Sequence, residues 1–147
     1  MDTNSMNYIF AIVPPILVGV LWDKITPHLQ RVVDASAGEI SLESIKQRAL
    51  EGNTTFVLVL KDDFVVAVNT VEVEIYQSGL KALHIPVVGG NEAFIWGPKF
   101  LEFAEEIAKS LGCIEMRGFS TRESWKRVLK GYGWEESHFV IKKKVGE

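Results

Sequence analysis

Five residues of this chain, Glu72, Glu74, His84, Glu115 and Arg117, carry side chains that move protons or hold charge and stand at spacings that let them meet. Side chains on an extended strand alternate sides, so Glu72, Glu74 and Tyr76 share one face of the β-rich run 64–76. His84 falls on the next extended run, and Glu115 and Arg117, two apart, share a face of a third. A Glu72/His84/Glu115/Arg117 group at an opening suits acid–base work, because carboxylate and imidazole are the usual proton-transfer groups. It equally suits a charged ligand, with Arg117 gripping a carboxylate or phosphate through two parallel bonds. The same residues also fit a solvated sheet face laced with surface ion pairs.

Bulk properties narrow the field. At 147 residues, with 47% hydrophobic and 24% charged residues, the chain reads as one domain with a real core. A net charge of −3 argues against a nucleic-acid-binding module, which would show a basic face. Lys142-Lys143-Lys144 is the one basic run, read as a solvated end or a small phosphate patch. Cys113 is alone, which excludes an intrachain disulfide or a cysteine-based zinc site and fits a reducing, cytoplasmic setting. The three histidines, His28, His84 and His138, lack the spacing of a helical metal motif, so no structural metal is expected. The apolar run 9–22 is shorter than the ~20 residues needed to span a bilayer. It also contains Pro14-Pro15 and Gly19, and reads as a buried strand leading into a helix.

The elements that must position these residues are legible in order. Residues 8–13 are β-rich and stop at Pro14; Pro15 opens a helix to about residue 34, with Leu17, Val20, Leu21, Ile25, Leu29, Val32 and Val33 on its buried side. Pro27 should kink or split it. A loop over 35–40 leads to Ser41, which caps a short helix carrying Leu42, Ile45, Ala49 and Leu50 and ending at Gly52. Strands 54–60 and 64–76 form a hairpin about Lys61-Asp62-Asp63, and Gln77-Ser78-Gly79 turns into a third strand, 80–88. After a loop over 89–97, Pro98 starts a helix with Phe100, Ala104, Ile107, Ala108 and Leu111, stopped by Gly112. Strand 113–119 follows. Ser120 and Glu123 then have capping-box spacing for a helix carrying Trp125, Val128, Leu129 and Tyr132. A last strand is read over 136–144.

The order β-α-α-β-β-β-α-β-α-β describes an α/β (α+β) fold, a mixed and mostly antiparallel sheet of about six strands with helices on both faces. It resembles the GNAT (GCN5-related N-acetyltransferase) superfamily over essentially the whole chain. The chain is similar, too, to small GNAT-like proteins encoded by bacteriophages. Those have a proline pair before the first helix (here Pro14-Pro15) and a polar linker into the second (Gly38-Glu39-Ile40-Ser41-Leu42-Glu43). They end on an E-x-R-G segment and a W-x-x-x-L-x-x-x-G helix, here Glu115-Met116-Arg117-Gly118 followed by Trp125, Leu129 and Gly133.

The resemblance implies acetyl transfer from acetyl-CoA to a small-molecule or protein amine, with Glu72, His84 and Glu115 as acid–base candidates. It implies an opening where strands 80–88 and 113–119 part, and Pro86 fits a strand that stops pairing. Val87, Val88, Gly89 and Gly90 would then offer backbone groups to the cofactor and Lys99 a charge to its phosphates. Glu92, Pro98 and the apolar Phe94-Ile95-Trp96 depart from the family's phosphate loop, so the segment also reads as a packing or contact loop. Arg117 and Trp96 are the substrate-binding candidates, Trp96 being either a lid on the core or a partner anchor. Leu129 occupies the position where many members carry a tyrosine acid, and leucine transfers no proton; Tyr132, nearly a turn later, reads as core. Three functions follow. One is a working acyltransferase in the cytoplasm. Another is a catalytically silent GNAT-fold protein acting through a homo-oligomer or a virion partner. A third keeps the fold and binds another ligand at Arg117 and His84.

Overall fold

The computed structural model describes residues 7–35, 38–85, 93–118, 123–137 and 141–146. Strand β1 (Tyr8–Val13) ends at Pro14, and helix α1 (Pro15–Ala35) starts with Pro15 in the first turn, where no N–H is required. α1 runs unbroken through Pro27, and beside the proline the Thr26 hydroxyl donates to the Trp22 carbonyl at 2.5 Å. Its buried stripe is Val18, Ile25, Leu29 and Val32. Leu17 and Val20, expected inside, are 41% and 77% exposed. At 3.6 residues per turn Val20 points away from the line through Val18, Ile25 and Leu29, and that line is the one the core accepts.

Helix α2 (Leu42–Leu50) is capped by Ser41, as its sequence predicts. The Ser41 and Ser44 hydroxyls accept reciprocally from each other's backbone N–H at 3.0 and 2.9 Å, a serine version of the capping box. Ile45 and Ala49, one turn apart, are buried.

Strands β2 (Thr55–Lys61) and β3 (Phe64–Ile75) pair antiparallel across a two-residue turn. Asp62 and Asp63 take positive φ values of 51° and 68°, the left-handed pair such a tight hairpin needs. Strand β4 (Lys81–Ile85) pairs antiparallel with β3 and parallel with β5 (Glu115–Gly118), giving the order β1-β2-β3-β4-β5. Helix α3 (Ala93–Ser110) joins β4 to β5, and α4 (Glu123–Gly131) follows.

Four further expectations are corrected. α3 starts at Ala93, before Pro98, because Trp96 extends the Phe100, Ala104 and Ala108 stripe back by one turn and all four are buried. Trp96 is therefore a core residue, 0% exposed and edge-on to Phe100 at 6.2 Å, instead of a loop side chain. The strand read over 136–144 has no counterpart among its described residues, and the described sheet has five strands. Three adjacent lysines break the alternation that a one-sided strand needs, and Ile141 stands 93% exposed. Tyr132, read as core, is 55% exposed. Ser120 lies outside the described residues.

The sheet separates two apolar layers by strict alternation. On one face Val57, Val59, Ala67, Val71, Leu83 and Ile85 pack against α3 through Trp96, Phe100, Leu101, Ala104 and Ala108. On the other, Val13, Phe56, Leu58 and Val68 pack under Val18, Ile25, Leu29 and Val32 of α1 and Ile45 and Ala49 of α2. If Trp96 is a packing residue, Trp96→Ala removes about 3–5 kcal/mol of stability. For a chain of this size that lowers Tm by roughly 10 °C, measurable by thermal unfolding followed by circular dichroism.

Candidate functional site

The second apolar layer draws its sheet residues from β1, β2 and the first part of β3. Beyond Val71 the same face turns polar, because β3 continues as Glu-Val-Glu-Ile while β4 and β5 alternate out of phase with apolar partners. Register then does the assembling. Glu72 lies opposite His84, and His84 lies opposite Arg117, so an acid, an imidazole and a guanidinium form one row across three strands. One step along, Glu74, Ala82 and Glu115 form a second row. The four residues expected to act together, Glu72, His84, Glu115 and Arg117, thus share one face.

Two ion pairs order the cluster. Arg48, in the last turn of α2, reaches over the sheet and donates to the Glu72 carboxylate at 3.1 Å. The Glu72 side chain is 16% exposed and that of Arg48 48%, so the pair straddles the edge of the helical cover. Arg117 Nε donates to Glu115 Oε1 at 2.5 Å, and its guanidinium lies 4.4 Å from the centre of the Tyr76 ring. The hydrogen bond to Glu115, chiefly, holds Arg117 protonated beyond the usual guanidinium range; partial desolvation opposes it and the charge of Glu115 adds to it. Glu72, Glu74 and His84 bring one ligand atom each to within 4.8 Å of one another.

Arg48 was not legible as a member of this group, since nothing in the sequence of α2 marks it for β3. Glu74 and Tyr76 were legible as sharing the face of Glu72, but their partners were not. Of the other candidates, Trp96 sits in the core on the opposite face. Lys99 is exposed on α3 and lines an open groove with Tyr8, Phe10, Glu102 and Phe103 by β1, apart from the cluster. Leu129 packs against the α3-side core, where it offers no proton. Val87, Val88, Gly89 and Gly90 lie outside the described residues, as does Pro86.

β4 and β5 are paired from Ala82 and Glu115 through Ile85 and Gly118. The approach is close at the end: a Cβ on Gly118 would stand 3.2 Å from the Ile85 carbonyl oxygen. Up to Ile85 and Gly118 the two strands do not part, and residues 86–88 and 119 of the expected opening lie outside the described residues. Among the described residues α3 begins with no acidic residue in its first turn.

With this geometry in place, the fold is recognisable among solved structures. A predicted acetyltransferase from Clostridium acetobutylicum, solved with acetyl-CoA, superposes with a TM-score of 0.65 at 8% identity, covering 94% of this chain and 96% of its own. Glucosamine-6-phosphate N-acetyltransferase from Arabidopsis thaliana gives 0.65 at 16% identity, covering 93% and 99%. An aminoglycoside acetyltransferase from an uncultured soil metagenomic sample, in complex with sisomicin, gives 0.68 at 11% identity, covering 95% and 98%. No family model matches the sequence, and no curated protein matches it. The chain has a GNAT-like fold: a mixed α/β architecture, mostly antiparallel, with one parallel β4–β5 pair. Among the described residues no helix is long and apolar enough to cross a membrane.

The Arg48–Glu72 pair is half exposed and should contribute little to folding. A double-mutant cycle on Arg48→Ala and Glu72→Gln, read by urea unfolding, is expected to give a coupling of about 0.2–1 kcal/mol that shrinks as salt is raised.

Proposed function

We propose that this chain is an acetyl-CoA-dependent N-acetyltransferase acting on an amine. The observation that carries the reading is the Glu72–His84–Arg117 row beside the β4–β5 junction, in a fold shared with solved acetyltransferases. Acetyl-CoA, when bound, supplies the activated acetyl thioester. The chain has to bring an amine to it and remove a proton, since an ammonium ion has no lone pair with which to attack. Glu74 provides negative charge that attracts a cationic amine to this face. His84 takes the proton, directly or through one water, imidazole being the side chain best suited to that near neutral pH. Glu72, held by Arg48, orients the imidazole. Arg117, fixed by Glu115 and Tyr76, contacts an anionic or hydroxyl-rich part of the acceptor. Val87, Val88, Gly89 and Gly90 are the residues that would offer backbone donors to the cofactor, while Lys99 lies by β1, away from the row. α4 offers no acid at position 129, so the departing thiolate is protonated from solvent.

The neighbours' substrates, an aminoglycoside in one case and glucosamine 6-phosphate in another, support a polar, amine-bearing small molecule as acceptor. A second reading, a catalytically silent GNAT-fold component of a virion or other assembly, draws on Leu129 and on the exposed Ile9, Ile12, Ile16 and Val20. The burial of Trp96 removes the anchor first envisaged for it.

Acetyl-CoA at 100 times its dissociation constant is expected to stabilise the chain by about 2.7 kcal/mol, a rise in Tm of several degrees. His84→Ala is expected to keep that rise and lose 10²–10⁴-fold in kcat/KM toward amines, on the order expected for a lost proton-transfer group. No thermal shift and no turnover, together with stable self-association, would favour the second reading.

A further inference from the structure

We infer that Glu72, Glu74 and His84 form a binding site for a divalent transition-metal ion of the zinc type, distinct from the acetyl-transfer role proposed above. The three side chains come from adjacent strands, and one donor atom of each lies within 4.8 Å of the others. Donors around a bound zinc ion stand ~2.0–2.2 Å from the metal, hence roughly 3–3.5 Å apart. Closing the difference takes a small rotation of two carboxylates on flexible stems, with His84 set opposite Glu72 by the strand register.

Charge favours an ion there. Glu72 and Glu74 project from the same strand face two residues apart, so their carboxylates repel each other. Arg48 answers the charge of Glu72 and Arg117 that of Glu115, while Glu74 has no ion-pair partner among the described residues. A cation between Glu72 and Glu74 screens their repulsion and answers the charge of Glu74.

The donor set defines the class of metal. One imidazole and two carboxylates suit zinc, cobalt or manganese, whereas magnesium and calcium prefer oxygen ligands alone. Three protein ligands leave at least one position for water. Spacing along the sequence did not reveal the site because its ligands converge only through strand pairing. A metal held here occupies the nitrogen that His84 needs for proton transfer, so zinc is expected to inhibit acetyl transfer.

The test is titration of the full chain with Co²⁺, followed by visible absorption, and with Zn²⁺ by calorimetry, with Mg²⁺ as the control. Saturation with one equivalent of Co²⁺ and displacement by Zn²⁺ are expected, with no heat from Mg²⁺. His84→Ala and Glu74→Gln should each weaken binding at least about tenfold, and Cys113→Ser should leave it unchanged. In the unsubstituted chain, Co²⁺ should broaden the amide signals of β3 and β4 around Glu72 and His84 ahead of all others, a readout that needs no variant to fold. Broadening centred elsewhere, or affinity unmoved by both substitutions, would overturn the inference. Metal binding without acetyl transfer leaves it standing and removes the function proposed above; acetyl transfer without metal binding does the reverse.

Discussion

The register of β4 between its two neighbours is the constraint on which the rest of the structure depends. β4 is short, Lys81–Ile85, yet it pairs antiparallel with β3 and parallel with β5. Side chains on a strand alternate, so one phase of β4 sends Leu83 and Ile85 into the α3 core and His84 to the other face. A slip by one residue would exchange these sets, burying an imidazole and exposing two large aliphatic groups. The burial of Leu83 and Ile85 thereby fixes where His84 stands, and with it the Glu72–His84–Arg117 row. The charged row on one face is held in place by packing on the other.

The two helical layers are unequal, and the inequality creates the site. α3 covers its face from β1 to β5, with Phe10 in contact with Phe100 and Phe103 at one edge and Met116 packed at the other. α1 and α2 cover their face over β1 to β3 and leave the far corner to charged side chains. Ala82 is buried in that corner between Glu74 and Glu115 in register, and a small residue there leaves room for the long side chains on either side. Arg48 marks the boundary, reaching from the last turn of α2 to the first carboxylate outside the apolar layer.

The start of α3 shows how packing overrides local punctuation. Proline in a first helical turn is a strong local signal, and Pro98 predicts a start there. The helix instead takes in Ala93 to Gly97, because Trp96 has a place at 0% exposure against Phe100 and its burial outweighs one missing N–H. A tryptophan flanked by phenylalanine and isoleucine looks like a contact loop in sequence. In the fold it is one turn of the core stripe, and the charged row lies on the opposite face of the sheet.

By itself the sequence determined the kind and order of elements: Pro14-Pro15 between β1 and α1, the Ser41 cap, the Asp62-Asp63 hairpin, and Gly112 after α3. These are short-range effects, written in residues a few positions apart. Alternation along β3, β4 and β5 likewise determined which residues share a face, and so named Glu72, His84, Glu115 and Arg117. What only the tertiary structure decided was how those faces line up: His84 opposite Glu72, Arg117 turned to Glu115 and Tyr76, Arg48 brought to Glu72, Trp96 inside, and residues 141–144 outside the sheet. Those outcomes depend on which of several apolar surfaces bury together, a balance over the whole core that no local spacing records.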